Sequence, residues 1–207
     1  MNETHGTVLV ADDDASVRES VQDLLEAVGL DVRLYGSVQD FLTAPRPDGP
    51  SCLVLDVRLP GKGGLDLQEE LARTGGAPPI VFITGHGDIP MSVRAMKQGA
   101  VEFLPKPFRE QDLLDAINIG LAQDRQRLDD ARLDGELRQR LESLTARERQ
   151  VLVLVAAGKP NKRVATDLQL SEITVKVHRG NVMRKMSAGS VADLVRMVDR
   201  LGLASHG

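Results

Sequence analysis

Three consecutive aspartates, Asp12, Asp13 and Asp14, follow the apolar run Thr7–Ala11, and a fourth carboxylate, Asp56, closes the run Cys52–Asp56. A hydroxyl, Thr84, ends Ile80–Thr84, and one lysine, Lys106, comes just after Val101–Leu104. Each polar group therefore sits at the carboxyl end of a short apolar run. If those runs are neighbouring strands, the groups share one crevice. Carboxylates that close raise one another's pKa unless a cation neutralises them. An all-oxygen donor set with room for water suits Mg²⁺, which takes one or two carboxylates together with the phosphate of a substrate. Asp14 reads as a turn or helix-capping residue, not a ligand. Cys52 has no basic neighbour to lower its pKa and reads as packing.

A different chemistry is written in the last third of the chain. Thr174, Lys176, Val177, Arg179, Arg184 and Lys185 fall within one helical stretch, Glu172–Met186, opened by Ser171. Lys176, Val177, Gly180 and Arg184 share a stripe with Ile173, opposite the apolar Val175 and Val182. A helix of this kind suits the major groove, where lysine reads guanine edges and valine meets thymine methyls. Thr174, Arg179 and Lys185 suit phosphates.

The elements that must position these groups follow from periodicity. Thr7–Ala11, Val32–Tyr35, Cys52–Asp56, Ile80–Thr84 and Val101–Leu104 read as strands, mostly with two apolar faces. Ser16–Val28, Val38–Ala44, Leu65–Arg73 and Pro90–Gln98 carry 3.6-residue apolar spacing. That alternation predicts a doubly wound α/β domain with a five-stranded parallel sheet over residues 1–120. From Glu110 a helical pattern runs on through a charged stretch, giving a helical linker at 121–142 that either pairs with a second copy or stands alone in solvent. Residues 143–207 read as all-α. Thr145 and Glu148 form a capping box, Asn161–Leu168 a short helix and Ser190–Leu201 a last one. Two short helices around a tight turn at Gln169-Leu170 fit a helix-turn-helix.

Charge divides at the same boundaries. Residues 1–122 hold 10 Lys/Arg against 19 Asp/Glu, whereas residues 143–207 hold 11 against 5. An acidic front and a basic tail imply different partners, phosphate or cation chemistry in front and a polyanion behind. With no Trp and 2% aromatics, an aromatic platform for single-stranded nucleic acid is excluded. The longest apolar run, Val151–Ala157, is too short to span a bilayer. With Glu3 and no basic segment at the N-terminus, and with one cysteine, the chain is expected to be cytoplasmic, with no membrane partner.

Asp12-Asp13, Asp56 in Asp-x-x-Leu-Pro-x-x-Gly, Thr84 in Ile-Thr-Gly-His-Gly and Lys106-Pro107 together resemble the receiver domain of two-component response regulators, over residues 7–120. The stretch from Thr84-Gly-His-Gly-Asp-Ile-Pro to Met96-Lys97-x-Gly-Ala is similar to the NarL/FixJ family in particular. The resemblance implies a flavodoxin-like fold with Asp56 as acceptor of a phosphoryl group from a sensor histidine kinase. It implies Mg²⁺ on Asp13, Asp56 and the Arg58 carbonyl, with Asp12 acting largely through water. Lys106 and Thr84 would hold phosphoryl oxygens, and Phe103 would turn into the space that Thr84 vacates. Arg58 and His86 would tune water access to the acyl phosphate.

The motifs Leu144-Thr-x-Arg-Glu-Arg, Asn161-Lys-x-Val-Ala and Ser171-x-x-Thr-Val-Lys-Val-His resemble the LuxR-type helix-turn-helix. Gln169 departs from that pattern, standing where the turn usually has glycine. The combination implies a phosphorylation-gated transcription factor that forms a homodimer, binds double-stranded promoter DNA and works with RNA polymerase. It is not an enzyme beyond transfer to its own aspartate and slow hydrolysis. Asp12-x-Asp14 also fits the nucleophile motif of haloacid dehalogenase phosphatases, but the late acidic pair and cap insertion of that fold are missing. A phosphorylation-independent DNA binder with a relic receiver is the third reading.

Overall fold

The computed structural model describes residues 6–61, 63–85 and 89–203. Five strands, β1 (Thr7–Ala11), β2 (Asp31–Tyr35), β3 (Ser51–Asp56), β4 (Ile80–Thr84) and β5 (Glu102–Pro105), alternate with α1 (Ala15–Ala27), α2 (Val38–Thr43), α3 (Gly64–Thr74) and α4 (Ile89–Lys97). The long α5 (Glu110–Glu142) follows, then α6 (Ala146–Ala156), α7 (Asn161–Leu168), α8 (Glu172–Met186) and α9 (Val191–Arg200). All strand pairs are parallel, in the order β2-β1-β3-β4-β5.

Alternation along the central strands sends side chains to two cores. Leu9, Leu53, Leu55 and Phe82 pack with Phe41, Leu67 and Ala95 of α2, α3 and α4. Val8, Val10, Val54 and Ile83 pack on the other face with Val21 and Leu25 of α1 and Leu113 and Ile117 of α5. β1, β3 and β4 are buried almost throughout, as a sheet covered on both sides requires. The outer strands differ from expectation. β2 is alternately exposed and β5 largely exposed, because each has a neighbour on one side alone.

Element ends shift from the sequence expectation by about one residue, and the caps account for several shifts. Asp14 accepts from the Ser16 amide at 2.9 Å, so α1 begins at Ala15. Ser37 caps α2 through the Asp40 amide at 3.1 Å.

The chain divides into two compact units within α5, after Leu128. Leu121 and Asp124, which the sequence expectation gave to the linker, are buried in the first unit. Asp124 Oδ2 accepts from the Ser51 amide at 2.8 Å, tying the start of β3 to α5. In the second unit Leu144, Val151, Leu152, Val164, Val175, Met186, Leu194 and Val198 form one core. There Arg200 of α9 pairs with Asp130 at 3.0 Å and Asp134 at 2.5 Å, both on α5.

Candidate metal centre and nucleic-acid interface

Strand order reverses between β1 and β3, and in open α/β sheets ligands bind beyond the carboxyl ends of the strands at that point. Asp12 and Asp13 leave β1 there, and Asp56 ends β3 beside them. One carboxylate oxygen from each lies within 4.8 Å of the others. Asp12 is fully buried, whereas Asp13 is exposed and open to water. Lys106, just past β5, donates from Nζ to Asp12 Oδ2 at 2.5 Å and to Asp56 Oδ2 at 3.2 Å. Its peptide bond to Pro107 is cis.

Two groups in this pocket titrate away from their ordinary ranges. Burial pushes the Asp12 carboxyl up, although the Lys106 bond and the Asp14 amide, 3.0 Å from Oδ1, pull the other way. Burial disfavours the Lys106 ammonium, but Asp12 and Asp56 outweigh it and hold Lys106 above the usual lysine range. Three carboxylates thus face one ammonium. That surplus of negative charge, the all-oxygen donors and the open side at Asp13 fit a hard divalent cation such as Mg²⁺.

The other positions singled out in the sequence differ in their surroundings. The exposed Arg58 donates its amide to Asp56 Oδ1 at 3.0 Å. Thr84 is buried, and its carbonyl accepts from the Lys106 amide at 2.7 Å. Phe103 is partly buried, its ring centroid 6.2 Å from that of Phe82. His86 lies outside the described residues. A cleft of about 380 Å³ adjoins the pocket, bordered by Ser16, Val17, Leu24, Lys106 and Phe108.

In the second unit α7 and α8 meet through a turn at Gln169, which takes the left-handed conformation (φ 55°, ψ 47°). The Leu170 amide closes that turn on the Ala165 carbonyl at 2.9 Å. Ser171 then caps α8 by accepting from the Thr174 amide at 3.1 Å. Val175, Val182 and Met186 bury one face of α8, leaving Ile173, Lys176, Val177 and Gly180 exposed on another. Two short helices joined by a tight turn, the second one basic, make a helix-turn-helix.

Comparison with known families decides what these two units are. Residues 8–118 match the response regulator receiver domain, and residues 142–198 match the bacterial regulatory proteins of the luxR family. The chain belongs to the two-component response regulators with a LuxR-type DNA-binding domain. It is 53% identical over 203 residues to Nodulation protein W of Bradyrhizobium diazoefficiens, covering 98% of this chain and 89% of that one. It is 47% identical over 201 residues to Response regulator protein TmoT of Ectopseudomonas mendocina, covering 97% and 91%. Among solved structures, response regulator StyR is 50% identical with a TM-score of 0.85, covering 95% of this chain and all of that one. Full-length FixJ from B. japonicum is 40% identical with a TM-score of 0.56, covering 97% and 98%.

Within this response regulator the basic residues of α8 are not equivalent. Arg179 donates to Asn161 Oδ1 at 3.0 Å, and Arg184 donates to Asn181 Oδ1 at 3.1 Å. Lys185 pairs with the buried Glu148 at 2.7 Å and donates to the Ser143 carbonyl at 3.1 Å. Its charge holds α8 to the start of α6. Sequence reasoning missed this pairing and the Asp124–Ser51 tie, since both join residues far apart in the chain. For Glu148 the one available signal, its capping-box position, pointed only to the helix end.

Proposed function

We propose that this transcription regulator is switched by phosphorylation of Asp56. A sensor histidine kinase donates the group: the phosphohistidine N–P bond breaks, a bond from phosphorus to an Asp56 carboxylate oxygen forms, and the imidazole leaves. The observation that carries this reading is the cluster of Asp12, Asp13 and Asp56 against Lys106 at the strand-order reversal. Asp13, Asp56 and the Arg58 carbonyl would hold Mg²⁺, with Asp12 acting largely through water, and the ion would supply positive charge to balance the equatorial phosphoryl oxygens. Lys106 supplies the second positive charge. Thr84 donates its hydroxyl to a phosphoryl oxygen, and Phe103 turns inward as Thr84 moves. Arg58 and His86 set water access to the acyl phosphate and hence its lifetime. The cleft bordered by α1 and Phe108 suits a kinase surface, since an apolar wall there ends at Lys106.

The added charge of roughly −1.5 to −2 resets a bistable region comprising α4, β5 and α5. Ile89, Val93 and Met96 expose apolar surface on α4, which a second copy covers in the homodimer. Residues 1–120 act as the receiver, 121–142 as linker and 143–207 as the DNA-binding domain. Two such domains engage promoter half-sites about one helical turn apart. Lys176 and Val177 face bases, Thr174, Arg179 and Lys185 face phosphates, and Arg184 adds general electrostatic attraction. RNA polymerase is the partner on the promoter, and the cytoplasm is the compartment. Among the described residues no helix is long and apolar enough to cross a membrane.

Radiolabel transfer from acetyl phosphate tests the reading. Asp56 labels only with Mg²⁺ present, Asp56→Asn does not label, and labelled protein sediments as a dimer with raised affinity for its DNA. Catalytic turnover of phosphate esters would instead support a phosphatase, and absence of labelling a relic receiver.

A further inference from the structure

Ile173 is 79% exposed and Val177 58% exposed, although both are large apolar side chains. They stand four residues apart on α8, so they are neighbours on one face, displaced by about 6 Å along the axis. Neither is covered by its own unit, whereas Val175, between them in sequence, is fully buried. The cations of this helix leave little else for base reading. Arg179, Arg184 and Lys185 are each bonded within the chain. Among the lysines and arginines of α8, Lys176 alone has no such partner, and Gly180 offers no side chain.

An apolar side chain brought to the floor of the major groove finds its one alkyl complement there in the C5-methyl of thymine, since the nitrogen and oxygen groups of the base edges donate or accept hydrogen bonds. A 6 Å displacement spans about two base steps at ~3.4 Å each. We propose that Ile173 is a second methyl reader beside Val177, so that each half-site carries two thymines within two base steps, next to the guanine met by Lys176. This inference rests on the reading of α8 as the groove helix and deepens it by naming the chemical feature that is recognised. Specificity then comes mainly from apolar contact, with one charged base contact for register.

The test uses the full chain, phosphorylated with acetyl phosphate, and duplexes selected from random DNA. Deoxyuridine replaces each half-site thymine in turn, removing the methyl and keeping the pairing. Two positions are expected to lose about fourfold in affinity each, the scale of one buried methyl group. Ile173→Ala should make one of these positions indifferent to the methyl, and Val177→Ala the other. Ile173→Val should retain the dependence. Since both side chains are exposed, the urea transitions of the variants should overlay that of the parent. Half-sites without paired thymines, or affinities within twofold for every deoxyuridine duplex, would overturn the inference. If Lys176→Ala still weakens the selected duplex in that case, the DNA-binding reading survives. If no duplex is preferred over random DNA, that reading fails and the inference fails with it.

Discussion

Glu148 and Lys185, 37 residues apart, meet at 2.7 Å, and the carboxylate is almost wholly buried. The same carboxylate accepts from the Thr145 amide at 2.9 Å, so a helix cap and an interhelical ion pair share one residue. The Lys185 bond and the Thr145 amide hold its carboxyl at about 2, against an ordinary 4.5. A depressed acid contributes stability that is complete above its unfolded value and is lost as pH falls through the folded one. Glu148→Gln keeps an acceptor for the capping box and removes the charge. It is expected to lower stability by roughly 1.5–3 kcal/mol at pH 7. The gap to the parent should narrow below about pH 4.5 and close near pH 2. Urea melts of the full chain by circular dichroism across that range check both the size and the direction.

Gly120 lies on α5 directly over Cys52. A Cβ there would stand 2.6 Å from Cys52 Sγ, inside any real contact distance. Cys52 is fully buried on β3, and burial pushes its thiol up to about 12, so it serves as neutral packing. Helix propensity alone favours Gly120→Ala by about 1 kcal/mol. Overpacking opposes it by roughly 1–3 kcal/mol and should win. In a Cys52→Ala background the sulfur is gone, and Gly120→Ala should become neutral or stabilising. A double-mutant cycle from denaturant midpoints reads this coupling directly. Equal effects in both backgrounds would mean the close approach is not what sets the residue.

Much of this architecture was legible because the relevant signals are local. Asp12, Asp56 and Thr84 announce themselves as polar groups ending apolar runs, and the strand ends bring those runs' polar groups together whatever the loops do. Thr145 and Glu148 are a capping box by spacing alone. What was not legible depends on partners distant in the chain. Lys176 and Lys185 look alike in sequence, and only the packing of α6 against α8 makes one a free cation and the other half of an ion pair. Asp124 is one of five charges in residues 123–130, and nothing local marks it as the buried residue that receives Ser51. β5 read as a two-faced strand because the adjacent Phe103 and Leu104 are apolar, yet its position at the sheet edge leaves Glu102 and Pro105 exposed.

Gln169 carries φ 55° at the turn before α8, a conformation that favours glycine. The left-handed region costs a residue with a Cβ about 1 kcal/mol. Gln169→Gly should therefore stabilise the second unit by roughly that amount, and the sequence departure from the family turn is a small intrinsic strain. Thermal melts of the full chain check it. A loss of stability would mean that chain entropy outweighs the relief of strain.

The switch proposed for Asp56 needs α4 to move, and the seating of α4 sets how readily it can. Ala95 is the one fully buried residue of this nine-residue helix, so few apolar contacts hold it. Polar contacts to α3 take their place. Glu69 accepts from Arg94 and from Gln98 at 2.6 Å each, and Gln68 Nε2 donates to the Ala95 carbonyl at 3.2 Å. Gln68 Oε1 is buried without a partner, a cost that weakens the seam further. A helix tied at its surface and loosely packed beneath is easily displaced as a body, as a two-state element requires. Removing Glu69 takes away the two short surface ties and leaves the longer Arg94–Asp66 pair at 3.8 Å, the Asp56 pocket and every buried apolar residue intact. In an Asp56→Asn background, where phosphorylation cannot contribute, Glu69→Ala should raise self-association by roughly two- to fivefold, the scale of one exposed ion pair. Sedimentation equilibrium without phosphodonor measures it. An unchanged monomer–dimer balance would mean that the contacts between α3 and α4 do not restrain the switch.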